Sequence, residues 1–137
     1  MQEQASSRTP RTLRGARLSK HADYQRVYQE SRKHFSASMT YFFSPRVPAS
    51  PVNAAGPRVG LTAGRVLGKA VERNRIKRRM REAVRRNLAH LQSDVDVILH
   101  PRKSVLSMEF PRLDIEVGRV FQSVEAALRK SAPETGA

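Results

Sequence analysis

The side chains of this sequence that could do chemistry are mainly cations. The 137 residues include 26 Lys and Arg but only 12 Asp and Glu, which gives a formal net charge of +14. Such a positive field attracts polyanions, among which nucleic acid is the leading candidate. An anionic membrane is a weaker candidate, because no basic helix in the sequence has an insertion face rich in Trp, Phe and Leu.

The functional groups of a self-sufficient enzyme are present but dispersed. Asp94 and Asp96 are the nearest paired carboxylates and share one face of a predicted strand, but Asp94 suits a turn and Asp96 a charge flanking the strand. The four histidines are separated along the chain: His21, His34, His90 and His100. No metalloprotease motif, nucleophile elbow or phosphate-binding glycine loop occurs, and the absence of cysteine excludes disulfides and thiolate metal sites. We therefore predict no catalytic residue and no metal site in the protein itself.

The strongest signal is the segment 68–91, which combines a dense positive charge with a helical pattern. Apolar residues recur on one stripe at helical period: Ile76, Met80, Ala83, Val84, Leu88 and Leu91. Between Ala70 and Leu91 there are eight Lys or Arg residues and only two acids. Like charges four residues apart cost roughly 0.2–0.5 kcal/mol per pair, so an external anion is expected to offset them. A merely solvated face is the alternative, which the shortage of acids disfavours.

The chemistry of this cationic face favours phosphate. Arginine outnumbers lysine seven to one in the predicted helix, and its planar guanidinium can bind a phosphate through two hydrogen bonds. The first turn adds free backbone N–H groups and the positive end of the helix dipole. Arg73 differs from the others because it projects on the side of Ile76 and Met80, toward the sheet or a cleft beside it.

Aromatic side chains form a second signal. Tyr24 and Tyr28 lie on one face of a first predicted helix, and Phe42 lies on the strand that follows. Such residues beside a basic helix could stack on unpaired bases, or they could simply pack in the core. The residues alone leave both interpretations open.

These groups are positioned by an expected α+β fold, a small two-layer sandwich with helices packed on one mixed sheet. The order is helix, strand, strand, helix, strand, helix, with a βαβ unit in which the strands 58–63 and 94–100 are parallel. The first helix begins after Ser19, the first strand is 37–43, and the last helix follows Arg112.

The chain is expected to form one RNA-binding domain over residues 17–129 with flexible ends. The segment 1–16 is a flexible basic arm, 44–57 is a proline-rich loop, and 130–137 is a tail. No apolar run approaches the ~20 residues of a membrane span, and no signal-peptide core is present. We therefore expect a cytoplasmic protein.

At VERNRIKRRMRE, residues 71–82, the sequence resembles the bacterial ribonuclease P protein component. The resemblance extends to RLSKHADYQRVY in the first helix, RVGLTAGRVLG before the signature helix, and DVDVILHPR in the following strand. It covers about residues 17–102.

The resemblance implies a function in tRNA maturation. Proteins of this family bind a large catalytic RNA, and the complex removes the 5′ leader from precursor tRNA. The RNA performs the hydrolysis with Mg²⁺ that it mainly holds itself, and no obligate protein partner is implied. The family fold has a left-handed βαβ crossover, an exception to the usual right-handed rule.

The resemblance also assigns roles to residues at matching positions. Those expected to face the catalytic RNA are Arg73, Asn74, Arg75, Lys77, Arg78, Arg81 and Arg85. Those expected in the cleft for the precursor leader are Tyr24, Tyr28, Phe42, Lys20 and Arg65. The sequence departs from the family at Lys69, where asparagine is usual, and at Gly64 and Val66, where polar or basic residues are usual. The proline-rich loop is also longer than is common.

Two other classes of function remain as alternatives. A ribosomal protein that acts as a structural rRNA binder would have similar size and charge. A DNA-binding regulator would need a recognition helix that reads bases, and the sequence has no second helix closely joined to the basic one by a short turn.

Overall fold

The computed structural model describes residues 16–46 and 56–131 of the chain. Three helices are present in this part: α1 (His21–Glu30), α2 (Ala70–Asn87) and α3 (Phe110–Ser131). Four strands accompany them: β1 (His34–Phe35), β2 (Met39–Pro45), β3 (Arg58–Leu61) and β4 (Val95–Pro101). Short 3₁₀ turns lie at Arg65–Leu67, Leu88–His90 and Lys103–Leu106.

The strands form one mixed sheet in the order β1-β2-β4-β3. β3 pairs with β4 in parallel, with Val59 opposite Val97, as the βαβ pattern predicts. β4 pairs with β2 in the antiparallel sense, with Phe42 opposite Ile98. The two-residue strand β1 was not predicted from the sequence, because a strand so short has no periodicity of its own. The handedness of the β3–α2–β4 crossover stays a prediction.

The helices pack on both faces of the sheet, which corrects the expected two-layer arrangement while confirming the α+β class. α2 and α3 cover one face, where their buried stripes meet Val95, Val97 and Leu99 of β4. α1 covers the other face, where Val27 packs with Leu18 and Ile98. The reason is that β4 is buried on both sides along nearly its whole length, as central strands are. A single layer of helices would leave one side of β4 in water.

The predicted helix faces agree with the observed burial. All six residues of the predicted stripe are buried: Ile76, Met80, Ala83 and Val84 in α2, and Leu88 and Leu91 beyond its end at Asn87. In α3 the inward residues are Leu113, Val117, Val120, Phe121 and Val124. Helical periodicity therefore identified the face that α2 packs into the core and the inward face of α3.

Several predicted boundaries shift in the structure. Ala16, placed in the basic arm, is buried, and Val59 donates a backbone hydrogen bond to its carbonyl oxygen at 2.7 Å. Ser44 and Pro45, placed in the proline-rich loop, end β2, and Lys130, placed in the tail, belongs to α3. α1 starts after Lys20 rather than Ser19, and no side chain caps it. The arm 1–15, the loop core 47–55 and the tail 132–137 lie outside the described residues.

Candidate RNA-binding surfaces

The basic helix α2 begins at a turn that the sequence fixes closely. Gly68 has φ 124°, a left-handed conformation that favours glycine, and a Cβ there would collide with the carboxylate of Glu72. Glu72 accepts a hydrogen bond from the backbone N–H of Lys69 at 3.0 Å. Lys69, the N-cap residue, has no acceptor on its side chain, so only this half of a capping box exists.

Replacing Lys69 by asparagine is expected to stabilise the isolated protein. Lys69 already has the extended backbone of an N-cap, with φ −73° and ψ 166°, and an asparagine oxygen there could accept from the free N–H groups of the first turn. The free energy of unfolding should rise by about 0.5–2 kcal/mol, which urea denaturation followed by circular dichroism would measure. Lys69→Ala is the control: it removes the same charge without supplying an acceptor. If both variants gained equally, relief of charge repulsion rather than capping would be the cause.

The cations of α2 divide into two groups according to their partners. Arg79 donates to the carbonyl oxygens of Val105 and Met108 and so holds the Lys103–Leu106 turn against α2. Arg85 pairs with Glu82, and Arg86 with Asp114. The other group has no ion pair and no side-chain hydrogen bond within the described residues: Arg75, Lys77, Arg78 and Arg81. Among these, Arg75, Arg78 and Arg81 are exposed, and Asn74 is exposed beside them.

Arg73 occupies a different environment from the exposed arginines, as its place in the helical pattern predicts. The side chain is half-buried, and its Nε is buried without a hydrogen-bond acceptor in the described part of the chain. A buried donor left without an acceptor costs about 1–3 kcal/mol. This buried, unsatisfied donor distinguishes Arg73 from the exposed arginines of α2, and its contact with RNA stays a prediction.

Asp96 organises a buried cluster of charges on the α1 face of the sheet. Its carboxylate is fully buried in the central strand β4 and pairs with Arg26 of α1, Arg46 after β2 and Arg58 of β3. Arg58 binds it through two hydrogen bonds, Nε to Oδ1 and Nη2 to Oδ2, each 2.8 Å long. These bonds raise the pKa of Arg58, while burial lowers the pKa of Arg46. One carboxylate thus joins three separate segments.

This cluster also corrects the role expected for Asp96. The sequence pattern suggested a charge flanking the strand, but the carboxylate lies inside the fold because β4 is the central strand. Asp94 does lie in the turn before β4, as expected, where its side chain accepts a hydrogen bond from the N–H of Gly56. The guanidinium of Arg46 donates to the carbonyl oxygen of Gly56, so the two ends of the proline-rich segment are tied together.

The predicted aromatic residues gather in one cleft between α1 and the sheet. The rings of Tyr28 and Phe42 meet edge to face with centroids 4.9 Å apart, and Tyr24 lies 6.4 Å from Tyr28. Tyr28 remains 37% exposed, whereas Tyr24 is more enclosed because its hydroxyl donates to the carbonyl oxygen of Leu18 and its ring covers Gly60. Tyr28 is therefore better placed than Tyr24 to stack on a base.

His100 completes the aromatic cleft and was not selected from the sequence. Its Nε2 lies 2.8 Å from the hydroxyl oxygen of Tyr28, and its ring centroid lies 5.3 Å from that of Phe42. Burial, with a smaller effect of the Lys33 charge, lowers the pKa of His100, and burial also raises the pKa of Tyr28. Both side chains are consequently neutral at pH 7, so the cleft offers hydrogen-bonding groups and rings rather than charge.

Two of the predicted cleft residues stand apart from this aromatic group. Lys20 is exposed as the N-cap of α1, and Arg65 is exposed in the turn before α2. Neither forms an ion pair or a side-chain hydrogen bond with the described residues. Val66, beside Arg65, stands where polar or basic residues are usual in the family. Its side chain is 89% exposed, so this position places an apolar group in water.

Within 16–46 and 56–131, no three His, Asp or Glu side chains form a group that could hold a metal ion. In the same ranges no helix is long and apolar enough to cross a membrane.

Comparison with known proteins adds evidence that the geometry alone does not contain. The family model named Ribonuclease P matches residues 13–125. This chain belongs to the ribonuclease P protein family. A ribonuclease P protein component of Chloroflexus aggregans is 36% identical over 123 residues, which cover 89% of this chain and 84% of the relative. A ribonuclease P protein component of Symbiobacterium thermophilum is 35% identical over 106 residues, which cover 77% of this chain and 88% of the relative.

Solved ribonuclease P proteins share the fold. The protein from Staphylococcus aureus aligns with a TM-score of 0.65 at 24% identity, covering 80% of this chain and 94% of its own. The protein from Thermotoga maritima aligns with a TM-score of 0.66 at 22% identity, and the alignment covers 78% of this chain and 96% of that protein. The predicted resemblance and the function of a ribonuclease P protein component are thereby confirmed, and nothing in these comparisons favours a ribosomal protein.

The ribonuclease P assignment leaves the individual site residues as predictions. The structure brings Tyr24, Tyr28 and Phe42 together. It also leaves most of the predicted cations of α2 unpaired, with Arg85 as the exception. The alternation of Asp96, Ile98 and His100 along β4 could have pointed to His100, since period 2 places all three on one face. No comparable sequence signal marks Arg26, Arg46 and Arg58 as partners of one carboxylate.

Proposed function

We propose that this protein binds the catalytic RNA of ribonuclease P and the 5′ leader of precursor tRNA, and so promotes removal of the leader. The observation that supports the first contact best is the group of α2 cations without internal partners. Like charges at helical spacing repel each other. Bound phosphates would offset this repulsion, and the release of their counterions would favour binding.

The proposed leader site is the aromatic cleft of Tyr24, Tyr28, Phe42 and His100. An unpaired base can stack on the exposed ring of Tyr28, and such a contact is worth about 1–3 kcal/mol. The neutral pair of Tyr28 and His100 adds hydrogen bonding to a base edge. Lys20 and Arg65 would meet phosphates at the margins of the cleft rather than within it.

The chemical step is assigned to the RNA. The described residues hold no cluster that fits a metal, so the protein contributes charge neutralisation and positioning of the leader. In this proposal Mg²⁺ held mainly by the RNA would supply the chemistry of phosphodiester hydrolysis. The partners are the catalytic RNA and precursor tRNA in the cytoplasm, with no obligate protein partner.

Reconstitution tests the proposal directly. Adding the protein to a bacterial ribonuclease P RNA should restore cleavage of precursor tRNA at low Mg²⁺, because protein cations replace part of the screening that excess Mg²⁺ otherwise supplies. The measurement is the single-turnover cleavage rate with and without protein. A precursor with a leader of one nucleotide should gain less than one with a long leader, since it cannot fill the aromatic cleft.

The same assay distinguishes the alternatives. No stimulation of either substrate would contradict the proposal, and equal stimulation of both would contradict the leader site while leaving the RNA contact intact. Retention on ribosomal subunits without an effect on cleavage is the behaviour of a ribosomal protein.

A further inference from the structure

The two edges of the sheet differ in what covers them. The outer side of β3 is covered by the chain itself, because the N–H of Leu18 donates to the carbonyl oxygen of Val59 at 3.0 Å and the N–H of Val59 donates to that of Ala16 at 2.7 Å. β1 lies at the other end of the sheet order. In the described part of the chain no further strand pairs with it, so the outer side of residues 33–35, the β1 edge, is open.

Backbone hydrogen-bonding groups point outward at the β1 edge. The N–H of Ser36 donates to the carbonyl oxygen of Met39 at 2.8 Å and closes the hairpin between β1 and β2. Because antiparallel pairing alternates from residue to residue, the backbone of His34 faces β2, whereas the N–H and C=O groups of Lys33 and Phe35 face away from it. The side chain of Phe35 is also 69% exposed. An extended polypeptide could therefore continue the sheet at this edge.

A cavity of about 440 Å³ opens beside the β1 edge on the α3 side of the sheet, opposite the side that α1 covers. Its walls include Phe43 and Pro45 of β2 and Leu128 of α3. His34 also lines it, and the ring centroids of His34 and Phe43 are 4.9 Å apart. Burial, with a smaller effect of the Arg32 charge, lowers the pKa of His34, so this ring is neutral at pH 7. Alternate side chains of an added strand would face this largely apolar cavity.

The charges around the cavity are mainly positive. Arg32 and Lys130 line it and are exposed, and Lys33 is exposed at the β1 edge itself. None of these three cations forms an ion pair within the described residues. Glu30 is the one acid among the described residues that line the cavity, and its carboxylate already pairs with Arg26 at 3.3 Å. An acidic partner is thus attracted, whereas a second copy of this chain, with its net charge of +14, is repelled.

From the open edge, the cavity and the charge we infer that the β1 edge is a docking site for an acidic polypeptide segment bound in an extended conformation. The backbone of the segment pairs with that of Phe35, one of its apolar side chains enters the cavity, and carboxylates on either side of that chain meet Arg32 and Lys130. A nucleic acid has no amide backbone to pair with a strand, so the edge selects polypeptide. The inference goes beyond the proposed function, which uses neither this edge nor this cavity.

A designed peptide tests the backbone pairing. The fluorescein-labelled peptide Ser-Glu-Val-Leu-Val-Glu-Ser places its leucine and both glutamates on one face of a strand, and fluorescence anisotropy should show saturable binding to the full 137-residue protein. Phe35→Pro deletes the outward N–H without removing a bond to β2. Phe35→Ala is the matched control, because it also loses the ring but keeps the N–H. The proline variant should bind at least about fivefold more weakly than the alanine variant.

The charge requirement is tested with the same peptide. Arg32→Gln with Lys130→Gln should weaken binding about three- to tenfold at low salt, as expected for two exposed ion pairs. Arg112→Gln with Arg119→Gln removes the same net charge from exposed positions of α3 that do not line the cavity, and should leave the affinity nearly unchanged.

Hydrogen exchange identifies the occupant. The peptide should slow exchange of the Phe35 amide proton in NMR spectra of the wild-type protein. No saturable binding of the peptide, or equal affinities of Phe35→Pro and Phe35→Ala, would overturn the inference. It would also be overturned if a short oligouridylate slowed this exchange as well as the peptide does, since the edge would then belong to an RNA surface. Dimers in analytical ultracentrifugation that Phe35→Pro abolishes would overturn it in favour of a second copy of this chain.

Discussion

Replacing Asp96 by asparagine is expected to lower the free energy of unfolding by about 3–5 kcal/mol, the cost typical of removing one partner from a buried ion pair. The carboxylate is fully buried and faces Arg26, Arg46 and Arg58. Asparagine keeps the shape of the side chain but removes the negative charge, so three guanidinium groups would lose the carboxylate that they share. Asp23 and Glu30, at the margin of the cluster, would compensate Arg26 and Arg58 only in part.

The expected loss is large compared with the stability of most domains, about 5–15 kcal/mol. Urea denaturation followed by circular dichroism gives the change in free energy. Glu82→Gln is the matched control: it also neutralises an acid paired with arginine, but that pair is exposed on α2, so the unfolding midpoint should hardly move. An Asp96→Asn variant as stable as this control would mean that water can solvate the arginine cluster.

A functional consequence should accompany the loss of stability. Arg26 ties α1 to the sheet through Asp96, and the same helix carries Tyr24 and Tyr28 on the wall of the aromatic cleft. At a temperature where the variant is still folded, the advantage of long-leader over short-leader precursor should shrink. Catalytic-RNA binding through α2, which packs on the opposite face of the sheet, should change less.

Removing two unpaired cations together, Arg75→Ala with Arg78→Ala, is expected to weaken binding of the catalytic RNA roughly 10- to 100-fold. Both side chains are exposed and have no partner in the described residues, so their loss leaves no buried group unsatisfied. Hydrogen bonds to charged groups contribute about 1.5–3 kcal/mol each at most, and exposure to solvent lowers that value.

The salt dependence of binding is the sharper measurement for this variant. Each phosphate contact adds roughly 0.7–0.9 to the slope of log affinity against log salt concentration. The double variant should therefore lower the slope by about 1.4–1.8. Arg119→Ala with Arg129→Ala removes the same charge from exposed positions of α3, and should leave the slope nearly unchanged. A slope unaffected by Arg75 and Arg78 would place both in solvent in the complex.

Much of the structure that carries these sites was predictable from the sequence. The stripe of α2 and the inward face of α3 followed from residue periodicity, and the parallel pairing of β3 with β4 followed from the order strand, helix, strand. The excess charge of α2 was also visible, because only two acids accompany its eight cations. The helix faces and this charge depend on neighbours within a few residues along the chain.

The tertiary structure decided which polar groups are paired and which remain available. Arg26 and Asp96 are 70 residues apart, and Tyr28 and His100 are 72 apart, so no local pattern could match them. The packing of α3 likewise placed Asp114 beside Arg86, and the Lys103–Leu106 turn brought carbonyl oxygens to Arg79.

The difference between the features that were predictable and the pairings that were not has a physical reason. Helix and strand periodicity is set by near neighbours, which also fix the overall charge of each face. The partner of a charged group, by contrast, is determined by which segments pack together and how far water is excluded between them. The sequence by itself therefore predicted that α2 binds an anion. Only the tertiary structure showed that Arg75, Lys77, Arg78 and Arg81 are left without an ion pair or a side-chain hydrogen bond among the described residues.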